Sequence, residues 1–511
     1  MRHVLEYLER TAGRLPDKIA VDDGRKRYRY GELHALAKKA GVCIAKKTAF
    51  QKPVIVFLEK SADVLAVLFG VAYAGCFYVP VNPDFPSARI RKLLEILDAS
   101  CAVTESRYME KLRECGFSGS ILELAHVFDG EEEAEAGRRA QEGDLLYGMF
   151  TSGSTGVPKL VTVSHRAVLD FIEDFMEIGG ITEDDCIGNQ APFDFDVSVK
   201  DIYAAVCSGA TLALIPKELF SKPGLLLARL SEQNVTVLIW AVTALCMATR
   251  EPEFCRMIPK SIRKVFFSGE VMPPGQLKII RDALPEAACY NLYGPTEVTC
   301  NCTWHRIAPD DPIGSKIPIG KPFPKRKIWL LDEKQEAIRQ PNCTGEICVG
   351  GNTLASGYYH NEDEQAKRFV KHSFEGGAAE LTYHTGDLGY YDAQGRLYFA
   401  GRMDFQIKRL GHRVELEEIE LEMAKIQGVL QTCCIYDAEH QALVAFYIGT
   451  AERGEVRREL RRSLPAYMLP NRIVRLCAFP VNQNGKTDRA RLKREQNEQF
   501  RYGTEGKGSQ R

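Results

Sequence analysis

Hydrophobic and polar positions recur with two different periods along the chain, and these periods predict helices and strands in alternation. Residues 4–11 have the 3.6-residue spacing of an amphipathic helix, whereas PVIVFLEK (53–60) is a short apolar run typical of a buried strand. A helix that begins at Ala62 and the β-rich run CFYVPV (76–81) follow it. A strand, a helix and a second strand in succession are typical of an α/β fold, which we therefore predict.

Length and charge narrow the class of protein. A chain of 511 residues is long for a single core, so one large domain and at least one smaller domain are expected. Lys and Arg total 67 against 68 for Asp and Glu, and this balance argues against nucleic acid or an anionic membrane as a partner. Residues 64–81 form an uncharged run, but Gly75 divides it into a helical half and a β-rich half. This division favours two buried elements over a membrane span.

The cysteines indicate a reducing environment. The chain has 16 of them, scattered along its length, and the opening residues MRHVLEYLERTAGR lack the pattern of a signal peptide. We therefore expect free thiols and predict a cytoplasmic location.

The strongest local motif is YGMFTSGSTGVPKLVTVSH, residues 147–165. Its small residues form a loop between two apolar runs, where backbone N–H groups and hydroxyls can turn toward an anion, as in a phosphate-binding loop. It is not a Walker loop, because no Gly-Lys-Ser/Thr closes it and the following LVTV run is typical of a strand. Taken alone, the loop is equally compatible with an ordinary Gly/Ser turn. Its candidate phosphate contacts are Thr151, Ser152, Gly153, Ser154, Thr155, Gly156 and Lys159.

Further motifs follow in a fixed order, and they decide between these two interpretations. They are NQAPFDFDVSVKDIY (189–203), KVFFSGEVMPPG (264–275), NLYGPTEVT (291–299), TGEICVGGNTLASGYY (344–359), the run that begins with YHTGD and ends with VELEEIE (383–420), and NQNGKTDR (482–489). Together with the loop they resemble the acyl-adenylate-forming (ANL) superfamily, from near residue 28 to residue 489. The residues of these motifs are most similar to those of D-alanine–carrier protein ligases and of the adenylation domains of nonribosomal peptide synthetases.

The resemblance implies a particular domain organisation. It predicts a large N-terminal adenylation domain of stacked sheets and helices over residues 1–401, followed by a hinge at 402–404. A small, mobile α+β domain would occupy residues 405–495, and a disordered tail residues 496–511. Asp404 resembles the hinge residue about which the small domain turns, although an exposed Asp in a turn is also a possible interpretation.

The resemblance also assigns roles in nucleotide binding. Tyr293 would stack on adenine, Thr296 would contact the α-phosphate, Glu297 would hold Mg²⁺, and Asp387 would accept both ribose hydroxyls. The chemistry agrees, because an aromatic face suits a base and a hard carboxylate suits Mg²⁺. Lys486 would reach the reacting carboxylate and the α-phosphate, so that Lys486, Thr296 and Glu297 are the predicted catalytic residues. The other predicted nucleotide contacts are Asn291, Arg402, Lys408 and Arg413.

Asp196 resembles the aspartate that holds the substrate α-amine in amino-acid-activating members. A carboxylate in a semi-buried pocket requires a cation or hydrogen-bond donors, and an ammonium group supplies both. The alternative is a helix N-cap, because Asp196 precedes a helical pattern. The other predicted pocket residues come from alignment of the motifs: Val197, Lys200, Thr243, Phe266, Ser268, Leu292, Cys300 and Asn301.

Two positions depart from the D-alanine ligase pattern. That family has a cysteine where Ser268 stands and an apolar residue where Lys200 stands. If Lys200 faces the pocket, its buried ammonium favours a substrate with an acidic or strongly polar side chain. If it extends to solvent beside Asp201, it says nothing about the substrate. The sequence leaves both interpretations open.

The implied reaction has two steps. ATP and Mg²⁺ would convert an amino acid to an aminoacyl-adenylate with release of pyrophosphate, and the acyl group would pass to the phosphopantetheine thiol of a carrier protein. No carrier domain follows residue 489, so the carrier is expected in trans, and the enzyme is expected to be a monomer. The alternatives are an acyl- or aryl-CoA ligase of the same superfamily and a non-catalytic nucleotide or amino-acid sensor on this scaffold.

Overall fold

The computed structural model describes residues 1–129, 140–153, 155–308, 311, 316–374, 377–437, 440–480 and 487–496. The chain forms two compact units. Unit 1 contains Met1–Pro83, Leu94–Phe150 and Leu160–Asp404, and unit 2 contains Asp84–Leu93, Thr151–Lys159 and Phe405–Arg511. The predicted domains and hinge therefore stay a prediction, since unit 2 also takes two segments from the first part of the chain. The tail predicted over 496–511 lies, apart from Gln496, outside the described residues.

The helices correspond well with the periodic segments of the sequence. The predicted helix at 4–11 is present and extends to Arg14, where Pro16 prevents its continuation. The α-helices are α1 (Leu5–Arg14), α2 (Tyr30–Ala45), α3 (Ala62–Tyr73), α4 (Ser87–Ile96), α5 (Ser106–Glu114), α6 (His165–Gly179), α7 (Val197–Ser208), α8 (Pro223–Glu232), α9 (Val242–Ala248), α10 (Phe254–Met257), α11 (Pro274–Ala283), α12 (Glu362–Arg368), α13 (Leu416–Ala424) and α14 (Arg453–Ser463). Short 3₁₀ turns occupy Lys217–Ser221, Thr296–Val298 and Ala466–Met468.

The strands, together with these helices, give the predicted α/β composition. They are β1 (Ile19–Asp22), β2 (Arg27–Arg29), β3 (Pro53–Phe57), β4 (Phe77–Pro80), β5 (Cys101–Thr104), β6 (Ser120–Glu123), β7 (Leu145–Thr151), β8 (Lys159–Ser164), β9 (Cys186–Asn189), β10 (Thr211–Leu214), β11 (Val237–Ala241), β12 (Lys264–Ser268), β13 (Ala288–Tyr293), β14 (Thr303–Ile307), β15 (Lys321–Pro322), β16 (Arg326–Leu331), β17 (Gly345–Gly351), β18 (Gly357–Tyr358), β19 (Phe369–His372), β20 (Glu380–Tyr391), β21 (Leu397–Arg402), β22 (Gln406–Arg409), β23 (His412–Glu415), β24 (Val429–Asp437), β25 (Ala442–Gly449) and β26 (Arg472–Arg475).

The largest sheet of unit 1 has nine strands in the order β15-β14-β13-β12-β11-β9-β10-β1-β2. The strands from β1 to β13 through the centre of this sheet pair in parallel, while β14 and β2 are antiparallel to their neighbours. Because the carboxyl ends of parallel strands meet at one edge, Asn189, Ser268 and Tyr293 all lie at the same edge of the sheet. Binding sites of α/β proteins are commonly built at this edge.

The two faces of this sheet belong to different cores. Phe266 and Leu292 lie in the larger core together with Phe175 of α6. Val265 and Phe267, which alternate with Phe266 along β12, lie in a second core with Leu226 of α8. A strand that is buried on both faces has a continuous run of apolar residues, and VLIWA of β11 is an example.

A second sheet of unit 1 has the order β18-β8-β7-β4-β3-β5-β6. The division of residues 64–81 predicted at Gly75 is confirmed, because α3 ends at Tyr73, Gly75 takes a left-handed φ of 69°, and β4 begins at Phe77. The run after the glycine-rich loop is also a strand, β8, as predicted. Throughout the described part of the chain, no helix is both long and apolar enough to cross a membrane.

A third sheet of unit 1 combines β16, β17, β20 and β19, with β21 paired to β20. Unit 2 contains the hairpin of β22 and β23 and a three-stranded sheet of β24, β25 and β26. Helices α13 and α14 contribute apolar residues such as Ile419 and Leu460 to its core.

Candidate active site

Four predicted residues from two motifs meet in unit 1, and we call them the Asp387 cluster: Tyr293, Asp387, Arg402 and Asp404. The Tyr293 hydroxyl donates to Asp387 Oδ2 at 2.6 Å, and Arg402 Nη1 donates to Asp387 Oδ1. Arg402 also donates through Nε and Nη2 to the two oxygens of Asp404, at 2.6 and 2.8 Å. The side chain of Asp387 is buried, so the structure holds an ionisable carboxylate between a phenol and a guanidinium.

Sheet register and a tight turn place Asp387. Asp387 and Arg402 are directly opposite on β20 and β21, which brings their side chains together. Gly386, before it, has a φ of 71°, a conformation that favours glycine, and its N–H donates to Glu346 Oε1 at 2.9 Å. Glu346 Oε2 in turn lies 2.9 Å from His384 Nδ1. The turn before Asp387 is therefore tied to the neighbouring strand β17.

The charges around this turn are balanced by hydrogen bonds. Burial opposes ionisation of Glu346, but the hydrogen bonds from His384 and the Gly386 amide outweigh it and lower its pKa. Burial, and then the Asp387 charge, raise the pKa of the Tyr293 phenol far above its ordinary value, so Tyr293 stays a neutral donor. Glu346, Cys348 and His384 have possible ligand atoms within 4.8 Å of one another, and His384 Nδ1 contacts both of the others, Glu346 Oε2 at 2.9 Å and Cys348 Sγ at 3.5 Å.

Glu297 lies in the 3₁₀ turn that follows β13. Its carboxylate is 1% exposed, and the Tyr358 hydroxyl donates to Oε1 at 2.7 Å. A hydrogen bond of 2.8 Å from the Ala355 N–H to the Glu297 carbonyl fixes the backbone. A buried carboxylate held in one orientation is the hard oxygen ligand that Mg²⁺ prefers, so the residue present fits the predicted metal. Thr296, next to it, is half-buried, and Asn291 donates through Nδ2 to the Pro318 carbonyl at 2.8 Å.

A second group of predicted residues meets at the start of α7, and we call it the Lys200 cluster: Asp196, Lys200, Ser268, Cys300 and Asn301. Lys200 is 1% exposed, and its Nζ donates to Asn301 Oδ1 at 2.6 Å and to Ser268 Oγ at 3.4 Å. The Cys300 thiol donates to the Asp196 carbonyl at 3.2 Å. The interpretation in which Lys200 extends to solvent is therefore wrong, and its ammonium lies among the predicted pocket residues.

Asp196 occupies the N-cap position of α7, but its side chain makes no capping hydrogen bond there. Its φ of −63° and ψ of −21° are helical, whereas a capping residue normally has extended dihedrals that direct its oxygen to the N2 or N3 amide. The side chain is 6% exposed. The capping alternative for the Asp196 carboxylate is therefore wrong.

The turn between β13 and β14 brings Cys300 and Asn301 to this cluster. A Cβ atom at Gly294 would lie 2.5 Å from Asn301 Cα, so only glycine allows the chain to close on itself here. Thr299 and Cys300 have φ angles of 60° and 66°, in the left-handed region that β-branched residues in particular avoid. Such conformations cost about 1–3 kcal/mol each and cluster at binding sites.

Of the remaining predicted pocket residues, three are apolar and buried, and the fourth is Thr243. Phe266 and Leu292 are buried in the larger core, where Phe266 stacks on Tyr290 with ring centres 4.6 Å apart. Val197 is the first residue of α7 and is also buried. Thr243 lies near the start of α9, and its hydroxyl donates to Glu270.

Sequence reasoning missed a polar network next to Lys200. Asp201 is fully buried and accepts a hydrogen bond of 2.6 Å from Asn189 Nδ2, and Lys60 Nζ donates to Asn189 Oδ1 at 2.9 Å. Burial raises the pKa of Asp201 to about 7, against the opposing effects of Asn189, Lys200 and Lys60. Burial likewise lowers the pKa of Lys60 to about 7. The available signal was the position of Lys60 and Asp201 directly beside apolar runs.

The glycine-rich loop lies in unit 2. Thr151, Ser152 and Lys159 are buried, Thr155 is exposed, and the N–H of Gly156 closes a turn on the Gly153 carbonyl at 2.9 Å. Gly156 has a φ of 77°, as a tight glycine turn requires. Ser152 Oγ donates to the Arg413 carbonyl at 2.9 Å, and Arg413 is paired with Lys408 across β22 and β23. Ser154 and Lys486 lie outside the described residues.

A family model described as AMP-binding enzyme matches residues 8–359, more than half of the chain. The chain belongs to the AMP-binding enzyme family. It is therefore an adenylating enzyme of the ANL superfamily and an AMP-forming ligase, and enzymes of this family use ATP. The predicted family and fold are confirmed.

Individual proteins extend the match beyond residue 359. The chain is 30% identical over 509 residues to the D-alanine–D-alanyl carrier protein ligase of Bacillus licheniformis, with 96% of this chain and 99% of the relative covered. It is 30% identical over 500 residues to tyrocidine synthase 1 of Brevibacillus parabrevis, where 96% of this chain spans only 45% of the length of that synthase. A solved structure of holo-PA1221, a nonribosomal peptide synthetase protein with adenylation and PCP domains, has the same fold, with a TM-score of 0.84, 23% identity, and 97% and 84% of the chains covered.

Proposed function

We propose that the chain activates an amino acid with ATP to an aminoacyl-adenylate and transfers it to the phosphopantetheine thiol of a carrier protein. The carrier-protein part is supported by the similarity to the Bacillus licheniformis ligase, which aligns over nearly its whole length. Asp196 is the observation that carries the amino-acid part. Its carboxylate is buried at the head of α7 without serving as a helix cap, and an α-ammonium group is a cation and hydrogen-bond donor that suits a carboxylate in this position.

In the first step an oxygen of the amino acid carboxylate attacks the α-phosphorus of ATP. The bond to the bridging oxygen of the β-phosphate breaks, and pyrophosphate leaves. In the second step the carrier thiolate attacks the acyl carbon, the bond to the adenylate oxygen breaks, and AMP leaves. Two anions must approach in the first step, so neutralisation of charge is the main task of the protein.

The residues of the chain divide this task. The Asp387 cluster is proposed to bind the ribose, since each Asp387 oxygen has a second lone pair beyond those used by Tyr293 and Arg402. Tyr293 is proposed to contact the adenine and Thr296 the α-phosphate. Glu297 would hold Mg²⁺, which would neutralise phosphate charge when bound. Lys486, predicted from sequence, would approach the reacting carboxylate.

Amino-acid-dependent exchange of pyrophosphate into ATP tests the first step, with D- and L-amino acids, fatty acids and aryl acids compared. We expect exchange with an amino acid, and loading of a phosphopantetheinylated carrier in preference to coenzyme A. Exchange restricted to fatty or aryl acids, or acylation of coenzyme A alone, would overturn the proposal. Lys486→Ala should abolish exchange while sparing transfer from a supplied aminoacyl-adenylate.

The role of Asp196 has its own control. The preference for the amino acid over its desamino analogue should fall in Asp196→Asn, because the neutral amide attracts the ammonium less. Asp194→Asn, two residues earlier in the same loop, should leave that ratio unchanged. Equal effects of the two variants would remove Asp196 from amine recognition.

A further inference from the structure

Lys200 carries an ammonium group into the interior of unit 1. The group is hydrogen-bonded to the side-chain oxygens of Asn301 and Ser268, both of which are neutral acceptors. Removing an ammonium from water costs several kcal/mol of free energy. Hydrogen bonds to neutral acceptors offset less of this cost than an ion pair does. Asp201, the next residue, contributes a favourable charge interaction with Lys200 from the buried network described above. The Lys200 cluster thus contains a buried ammonium and the carboxylate of Asp196, and the carboxylate of Asp201 lies in the same stretch of chain.

The position of Lys200 relative to Asp196 connects it with the substrate. Asp196 and Lys200 are four residues apart at the start of α7, so their side chains leave the same face of the helix one turn apart. Side chains at this spacing are about 5–6 Å apart at Cβ. An amino acid whose ammonium meets Asp196 is therefore within reach of Lys200. A side-chain carboxylate a few bonds from the ammonium has the complementary arrangement of charges.

Further donors surround the same point. Because Asn301 turns Oδ1 toward Lys200, the Nδ2 of the same amide can donate to an incoming oxygen. The Ser268 hydroxyl can donate as well as accept. Both residues are nearly inaccessible to solvent, at 4% exposure for Ser268 and 2% for Asn301. The strained turn at Thr299 and Cys300 holds Asn301 in place, which is the preorganisation expected of a binding site.

We infer that the amino acid activated by this chain has a side chain that ends in a carboxylate, and that Lys200 selects it with Ser268 and Asn301. The inference rests on the proposed function, because it takes the Asp196 carboxylate as the site of the α-ammonium. A competing explanation gives Lys200 a purely structural role, as a tie between α7 and the turn at Asn301. Both explanations predict that replacing Lys200 lowers stability, but only selection predicts a change in the order of substrates.

The test measures kcat/KM for pyrophosphate exchange with pairs of equal shape: aspartate against asparagine, glutamate against glutamine, each in both D- and L-forms, with leucine and methionine as apolar references. In the wild-type enzyme the best acidic amino acid should exceed its amide by about 100-fold, the effect typical of a buried charge pair. Lys200→Met should abolish this advantage and raise exchange with the neutral amino acids. Lys200→Arg should retain a preference for the acidic member.

The matched control is Lys222→Met, which removes an exposed lysine of the same unit and should leave the ratios unchanged. The wild-type ranking needs no variant, so it tests the inference even if Lys200→Met fails to fold. A wild-type preference for neutral amino acids, or an unchanged ranking in a folded Lys200→Met enzyme, would overturn the inference and leave amino-acid adenylation intact. If carboxylic acids that lack an amine support exchange and none of the amino acids does, the proposed function is overturned, and this inference with it.

Discussion

The Asp387 cluster and the Lys200 cluster lie in the same unit but are built in opposite ways. At the centre of the Asp387 cluster is a buried carboxylate, which an arginine and a phenol hold directly. At the centre of the Lys200 cluster is a buried ammonium, hydrogen-bonded to the neutral oxygens of Asn301 and Ser268. In the first arrangement the central charge is hydrogen-bonded to a group of opposite charge, and in the second the hydrogen bonds of the central charge include two to neutral oxygens.

This difference matches two different tasks. A carboxylate fixed by its own protein partners suits a ligand that is the same in every reaction, as we propose for the ribose of ATP. A buried cation that is hydrogen-bonded to neutral groups able to change partners suits discrimination between substrates, because its burial favours one charge on the ligand. Variants of the two clusters should therefore fail in distinguishable ways.

The largest effect is expected for Asp387→Ala. Loss of the carboxylate removes the proposed ribose contact and leaves Arg402 and Tyr293 without their shared acceptor. Exchange should fall by about 100-fold with every amino acid, without a change in their ranking. Measurement of kcat/KM for ATP and for two amino acids checks this. A selective loss with one amino acid would contradict the division between the clusters.

Asp201→Asn should change the dependence of stability on pH. Asp201 has a pKa near 3.8 when unfolded and about 7 when folded, so the folded state binds the extra proton between these values. The contribution of Asp201 to the free energy of unfolding is fully present below pH 3.8. It is lost as pH rises toward 7, by an amount on the order of a few kcal/mol.

The measurement is the free energy of unfolding in urea from pH 4 to pH 7, for wild type and variant. The difference between them should grow in favour of Asp201→Asn as pH rises, because the amide does not ionise. Burial lowers the pKa of Lys60 from 10.5 to about 7, so Lys60 changes the free energy of unfolding only between pH 7 and pH 10.5. The effects of Asp201 and Lys60 therefore fall in different pH ranges. A constant difference across pH 4–7 would show that Asp201 does not titrate in this range.

Asn301→Leu should act on substrate choice alone. The variant removes the oxygen 2.6 Å from Lys200 Nζ and the amide donor beside it. The ratio of kcat/KM for an acidic amino acid to that for its amide should fall about 10-fold, the value of one charged hydrogen bond. The KM for ATP should stay unchanged. An equal loss with both amino acids would place Asn301 outside side-chain recognition.

The smallest effect is expected for Tyr358→Phe. The variant removes the hydroxyl that donates to Glu297 Oε1 at 2.7 Å and keeps the ring. One hydrogen bond is worth about 1 kcal/mol, so the Mg²⁺ concentration needed for half-maximal exchange should rise about 5-fold. The order of amino acids should not change. The control is Tyr359→Phe at the next residue, whose ring stacks on His360 and which should leave the Mg²⁺ dependence unchanged.

The motifs predicted the members of the Asp387 cluster, and the structure shows that they are in contact. Tyr293, Asp387 and Arg402 could be named because each stands in a longer pattern of residues. Tyr358 was also inside a motif, but its contact with Glu297 was not predictable, since pairing across 61 positions depends on how β18 lies beside the turn after β13. The roles of Tyr293, Asp387 and Arg402 in nucleotide binding stay predictions.

The direction of Lys200 could not be decided from the pattern of residues around it. Every residue of α7 from Val197 to Val206 is buried, so this helix has no polar face that would indicate which charged residues meet solvent. The network that joins Lys60, Asn189 and Asp201 was missed for a related reason. They come from three different elements, and nothing in local spacing shows that they share one buried network.

The amino-acid sequence alone determined the α/β composition, most of the element positions and the set of adenylation motifs. These follow from the periods of apolar residues, from glycine and proline in turns, and from short patterns in which chemistry and spacing occur together. Only the tertiary structure decided that Lys200 is buried against Ser268 and Asn301, and that the Asp196 side chain does not cap α7. Burial and hydrogen-bond partners depend on residues about 100 positions apart, because folding, not local sequence, brings those groups within bonding distance.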